Sequence, residues 1–240
     1  MYEQDVIVTT KYGPGPSFVA CPDGPGPYPG IIFYMDAPGI REELRNMTRR
    51  IAGQGYFAIL PDMYYRLGNL RFDIPRRDDG MAQVFLAAMR SLTNAMVMDD
   101  TAGLLGFLDA QDKCKPGPVG CVGYCMSGQH ITNAAAFFPH RIKAAASLYG
   151  VGIITDKEDS PHLFLDKIRG ELYYAFAETD RSRRTFPATS TSCCRRRTSN
   201  TRSRPSRAPS TVSRSPNARS TTRSPPRRPG KRCSRCGIAA

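Results

Sequence analysis

A chain of 240 residues has room for one ordinary α/β domain and an appendage, and its net charge of +13 is unevenly placed. Residues 181–240 hold 16 Arg and one Lys with no Asp or Glu, so the first 180 residues set 17 basic against 21 acidic side chains, a net of −4. No apolar run approaches the ~20 residues of a membrane span, the polar start Met1-Tyr2-Glu3-Gln4-Asp5 lacks a signal-peptide core, and Cys21, Cys114, Cys121 and Cys125 show no disulfide-framework spacing.

The body is therefore expected to be a soluble, cytoplasmic domain. Asp5 to Thr10 alternates and is rich in Val and Ile, as an edge or hairpin strand would be, and Ser17 to Cys21 can pair with it across a Gly13–Pro16 turn. After a second Gly/Pro cluster, Ile31 to Met35 is a continuous apolar run of the kind buried on both faces of a sheet. Arg41 to Ala52 follows as a charged helix, with Leu44, Met47 and Ile51 on one face. Gly53-Gln54-Gly55 stops it, and Tyr56 to Leu60 is the next strand. Strand, helix, strand with short loops predicts a mostly parallel sheet.

Tyr64 to Gly80 is basic and irregular, expected as a loop over one end of the sheet. Met81 to Asp112 has a helical pattern, read as two helices or one broken near Asp99-Asp100. Val119 to Gly123, Ile142 to Tyr149 and Leu172 to Ala177 are the later strands, with the helix His130 to Phe138 between the first two. Candidate chemistry then falls at strand C-terminal ends, where open α/β sheets bind ligands.

The stretch with the strongest local signal is Gly123-Tyr124-Cys125-Met126-Ser127-Gly128. An apolar strand enters a turn of small residues and leaves as an Ala-rich helix, which is the pattern of a nucleophile elbow with Cys125 at its apex and Ser127 in the last small position. A thiol at a helix N-terminus is favoured as the thiolate. The competing reading is a buried, inert core cysteine.

Three further stretches accompany the elbow in order: Tyr34-Met35-Asp36-Ala37-Pro38-Gly39, then Tyr56 through Pro61-Asp62-Met63-Tyr64, and Ala175-Phe176-Ala177-Glu178-Thr179-Asp180. With these four pieces, residues 5–180 resemble the dienelactone hydrolase (carboxymethylenebutenolidase-like) family of the α/β-hydrolase fold. The resemblance implies a mostly parallel sheet flanked by helices, and hydrolysis of a small lactone or ester by a Cys-Asp-His triad without metal or organic cofactor. It places Cys125 as nucleophile, Asp180 as acid, and the backbone N–H groups of Met126 and Ala37 as the oxyanion hole. Asp36 matches a carboxylate near the resting thiol, where the family usually carries the longer Glu.

The third triad member is missing. The chain has three histidines, His130, His140 and His162, and none follows Asp180, although this fold orders its triad nucleophile, acid, histidine. His130 is expected to cap or pack its helix. The tail, rich in Arg, Ser, Thr and Pro with Phe186 as its only aromatic residue, cannot bury a core and is expected to be disordered. One reading makes it a nucleic-acid-binding segment that takes phosphates non-specifically. The other makes it a reading-frame error. With GC-rich codons, a frame displaced by one base lets Ala208 to Arg223 read as a segment containing His-Gly-Phe, with the histidine spanning Ser210 and Thr211, and lets Lys231 to Ala240 read as an amphipathic helix. On this reading Cys233 and Cys236 are by-products of the shift and no zinc site. Residues 1–180 are then a hydrolase domain lacking its closing elements, with apolar surface of the last strands exposed and marginal stability.

Arg76 and Arg77, beside Asp78 and Asp79, either hold a substrate carboxylate or form a solvated charge cluster. Tyr64 either lines the pocket or simply packs. Cys121, inside the elbow strand, is expected to be inert.

Overall fold

The computed structural model describes residues 1–176, so Asp180 and the Arg-rich tail lie outside the described residues. Strands β1 (Tyr2–Thr10) and β2 (Gly13–Cys21) form an antiparallel hairpin, with Thr10 opposite Gly13. The turn is therefore Lys11-Tyr12, and the Gly/Pro run expected to be the turn instead begins β2. Pro14 and Pro16 are tolerated because β2 meets its second neighbour only from Ser17 onward, so no ladder bond on that side requires their missing N–H.

Strand β3 (Tyr28–Tyr34) leads to α1 (Glu42–Ala52) and then β4 (Phe57–Pro61). Glu42 and Glu43 in the first turn of α1 and Arg49 and Arg50 in the last complement the helix dipole. Leu44, Thr48 and Ala52 are its buried residues, and the expected Met47 and Ile51 flank them, partly buried against the core. Thr48 fits there because its hydroxyl donates to the Leu44 carbonyl at 2.8 Å.

Between β4 and the next strand come two short 3₁₀ turns, then α2 (Asp79–Ser91) and α3 (Asn94–Asp109). The helical stretch breaks at Leu92-Thr93 and not at Asp99-Asp100. Thr93 caps α3 by accepting from Met96 N at 3.2 Å, while Asp99 and Asp100 ride in unbroken helix and pair outward, with Lys11 and Arg66. Strand β5 (Cys114–Tyr124), α4 (Ser127–Phe137), β6 (Ile142–Leu148) and β7 (Glu171–Ala175) complete the described residues.

The strands form one sheet in the order β1-β2-β4-β3-β5-β6-β7, antiparallel at β1/β2 and β2/β4 and parallel elsewhere. From β3 the chain crosses to one side through α1, and it later returns to the other side as β5. Right-handed crossovers put α1 on one face and α3 with α4 on the other. The strand order reverses between β3 and β5, and the crevice at their C-terminal ends is the topological switch point where such sheets bind ligands. Ile32, Phe33, Tyr34, Ile59 and Leu60 fill the core beneath it. No described helix is long and apolar enough to cross a membrane.

On the α1 face, β5, β6 and β7 leave a groove of about 460 Å³ whose walls include Ile31, Ile51, Val122, Ala146 and Tyr173. Parallel sheets normally carry helices on both faces. Among the described residues nothing covers this one.

Candidate active site

Strand β5 ends at Tyr124, and α4 begins at Ser127, so Cys125 and Met126 turn the chain through a sharp corner. Cys125 sits in the left-handed region with φ 53°, a conformation a non-glycine residue holds only when its surroundings dictate it. Three backbone bonds do so here: Cys125 N donates to Leu148 O at 3.4 Å, and Cys125 O accepts from Val151 N at 2.8 Å and from Gly128 N at 3.1 Å. The corner is also pinned to β3, where the Ser127 hydroxyl donates to the Met35 carbonyl.

Close approach explains the small residues. A Cβ on Gly123 would stand 2.8 Å from the Tyr34 carbonyl oxygen, and one on Gly128 would stand 2.6 Å from the Gly150 Cα. The thiol of Cys125 is consequently presented at the surface, whereas Cys21, Cys114 and Cys121 are buried. Burial pushes the thiols of Cys114 and Cys121 up, that of Cys114 to about 11, so both stay protonated and unreactive. Of the four body cysteines, Cys125 alone can meet a substrate.

Across the crevice, β3 ends in Met35-Asp36-Ala37-Pro38-Gly39. Among the described residues no acceptor occupies the backbone N–H of Ala37 or that of Met126, although both residues are buried. Buried N–H groups are ordinarily paired, so these two donors are left open to an acceptor that the described residues do not supply. Asp36 is paired with Arg41, which grips its carboxylate bidentately at 2.6 and 2.9 Å. Tyr64 lies between these pieces, its hydroxyl 2.7 Å from the Ala37 carbonyl and 3.4 Å from the Met126 sulfur. Burial, with the charges of Asp36 and Cys125 nearby, raises its phenol well above the ordinary tyrosine range.

The remaining sequence candidates sit apart. Arg76 is almost fully exposed, 3.5 Å from Asp73, and Arg77 is exposed beside Asp78, which caps α2 through Met81 N. Among the described residues no histidine hydrogen-bonds Cys125. His130 is 1% exposed with both ring nitrogens unpartnered, and burial drives it down to about 3, so it packs α4 as a neutral ring. His140 is exposed just before β6, at the far end of the strands from the corner: β6 alone, from Ile142 to Leu148 beside Tyr124, spans roughly 20 Å. His162 is tied to the Ser160 hydroxyl at 2.7 Å.

Sequence reasoning missed Tyr149. It follows β6 with φ 55°, is 57% exposed, and lies in the segment whose Leu148 and Val151 bind the Cys125 backbone. Its signal was the glycine pair Gly150 and Gly152 closing an apolar strand.

A sequence profile described as the Dienelactone hydrolase family matches residues 16–198. The chain belongs to the dienelactone hydrolase family. The match starts inside β2 and runs past the composition break at residue 180. A Synechocystis sp. protein assigned as a carboxymethylenebutenolidase is 31% identical over 172 residues, covering 69% of this chain and 67% of that protein. A relative of the same assignment from Methylorubrum extorquens is 27% identical, covering 61% of this chain and 48% of its own length. In fold, the chain resembles a crystal structure assigned as a dienelactone hydrolase from Klebsiella pneumoniae, with a TM-score of 0.61 at 23% identity over 72% of this chain and 71% of that one. The dienelactone hydrolase fold thus agrees with the mostly parallel sheet flanked by helices.

Proposed function

We propose that this chain takes an acyl group from a small carboxylic ester or lactone onto Cys125, and that turnover beyond that step is limited by the lack of a histidine base. The observation that carries the reading is the exposed thiol, held at φ 53° at the switch point, with the N–H groups of Met126 and Ala37 unbonded among the described residues. The thiolate sulfur bonds to the acyl carbon. The oxygen that gains charge is received by Met126 and Ala37, and the C–O bond to the leaving alcohol then breaks. For a lactone the alcohol stays attached to the acyl group.

Hydrolysis of the resulting thioester needs a base to activate water. Asp180 is the acid of this scheme, and the histidine it would orient is encoded one base out of frame, across Ser210 and Thr211. Sequencing the gene across the codons for Ala177 to Arg184 tests that part: a missing or extra base supports it, and an intact frame removes it.

The acylation step is tested with p-nitrophenyl acetate. A burst of one nitrophenolate per chain, followed by slow release and absent in Cys125→Ala, is expected. A burst of equal size in Cys125→Ala would overturn the reading. A second reading, favoured by the 17 basic and no acidic residues of 181–240, gives the tail a role in binding nucleic acid. It predicts affinity for any DNA that falls steeply with salt, and salt-independent binding would exclude it.

A further inference from the structure

Tyr64 joins two segments that reach the crevice from different strands. Its hydroxyl is 2.7 Å from the carbonyl of Ala37, in the turn after β3, and 3.4 Å from the sulfur of Met126, in the corner after β5. With one proton to give, the phenol donates to the closer carbonyl, and the thioether packs against the same oxygen. Each segment also supplies one of the free N–H groups beside Cys125.

Tyr64 is itself firmly placed. Its side chain is 1% exposed, its N–H donates to Asp62 Oδ1 at 3.0 Å, and Asp62 N is bonded to Pro16 O at 2.9 Å. The ring lies under the turn against Gly39, where a Cβ would come within 3.4 Å of it. Filling that space requires only a phenyl ring. A hydroxyl buried there and aimed at the Ala37 carbonyl does something packing does not.

We propose that Tyr64 is a positioning residue, whose phenol braces the Ala37 turn against the Met126 corner and so fixes the spacing of the two oxyanion donors. This rests on the acyl-transfer reading of the site. Because burial keeps the phenol protonated across the working pH range, the brace is a permanent donor and does not titrate with the thiol. Donors act through placement, and loss of one whole oxyanion donor costs about 10²–10³ in rate. A loosened pair should cost less, about tenfold.

The test compares two reactions of the same thiol in the full chain. Acetylation of Cys125 by p-nitrophenyl acetate forms a C–S bond, expels nitrophenolate and passes through an oxyanion. Alkylation by iodoacetamide forms a C–S bond and expels iodide with no oxyanion. Tyr64→Phe keeps the ring and removes the hydroxyl.

The expected result is an acetylation rate about tenfold lower with alkylation within about twofold of wild type, so that their ratio falls. A merely structural role would slow both reactions together or neither, and either result overturns the proposal. Should Tyr64→Phe fail to fold, Met126→Leu removes the sulfur contact at similar volume and must lower the same ratio, an unchanged ratio overturning the brace. A wild-type chain that takes no acetyl group on Cys125 overturns the acyl-transfer reading as well. Acetylation of wild type with an unchanged ratio in Tyr64→Phe overturns the brace alone.

Discussion

Gly128→Ala is the substitution that presses hardest on the corner. The new methyl would stand 2.6 Å from Gly150 Cα, 2.7 Å from Gly150 C and 2.9 Å from Val151 N, all backbone atoms. Ordinary carbon contacts are about 3.5–4.0 Å, so α4 and the segment after β6 must separate by about 1 Å, and no rotamer change can relieve it. That movement stretches the Val151 N to Cys125 O bond, now 2.8 Å. Overpacking costs about 1–3 kcal/mol and the weakened bond about 1, against about 1 kcal/mol gained from alanine's helix propensity. The net loss is about 2 kcal/mol, or a Tm lower by about 4–8 °C. Acetylation should fall about hundredfold, as expected for a reacting group displaced by about 1 Å. Gly106→Ala is the control, since on the exposed side of α3 no neighbouring atom of the described residues lies within 4 Å of its added methyl, and it should raise Tm by about 2–4 °C. Thermal melting and burst kinetics read both. A Gly128→Ala chain that melts with wild type and is acetylated at its rate would refute the close-packing account.

The left-handed backbone at Cys125 predicts that Cys125→Gly melts about 2–4 °C above Cys125→Ala, reversing the usual order of these residues; equal melting points would remove the strain. His130, held to about 3 in the fold against 6.5 when exposed, binds its proton in the unfolded chain first. Stability from its burial is therefore whole above pH 6.5 and is lost as pH falls toward 3, by about 2 kcal/mol between pH 6.5 and 5. His130→Leu should flatten that slope in denaturant titrations, and an unchanged slope would contradict a neutral buried ring. The face of β5, β6 and β7 left open by the described residues should enhance the fluorescence of a hydrophobic dye and drive concentration-dependent association, and a dye-silent monomer would show the groove to be covered.

What the sequence revealed follows the range of each interaction. The parallel strands, α1 and the cysteine corner were legible because they rest on local periodicity and on glycines within a few residues. The hairpin turn was misplaced because glycine and proline ordinarily mark turns, while pairing of Thr10 with Gly13 is decided across two strands. Of the two readings of the long helical stretch, two helices held and a break near Asp99-Asp100 did not: both acids are satisfied by distant cations, and the boundary is a threonine cap. At the site, the Arg41 grip on Asp36 and the contact of Tyr64 with Met126 were invisible, the latter joining residues 62 positions apart. Asp180 and the expectation of a disordered tail fall outside the described residues.

The proposed acyl transfer to Cys125, in preference to every other cysteine, is tested most directly by mass. The full chain is mixed with p-nitrophenyl acetate, quenched in acid within seconds and again after minutes, and mapped by peptide fragmentation. One acetyl group is expected, on the peptide containing Cys125, present at the first time and persisting at the second. Acetylation spread over the other cysteines, or many turnovers with no adduct on Cys125, would contradict it.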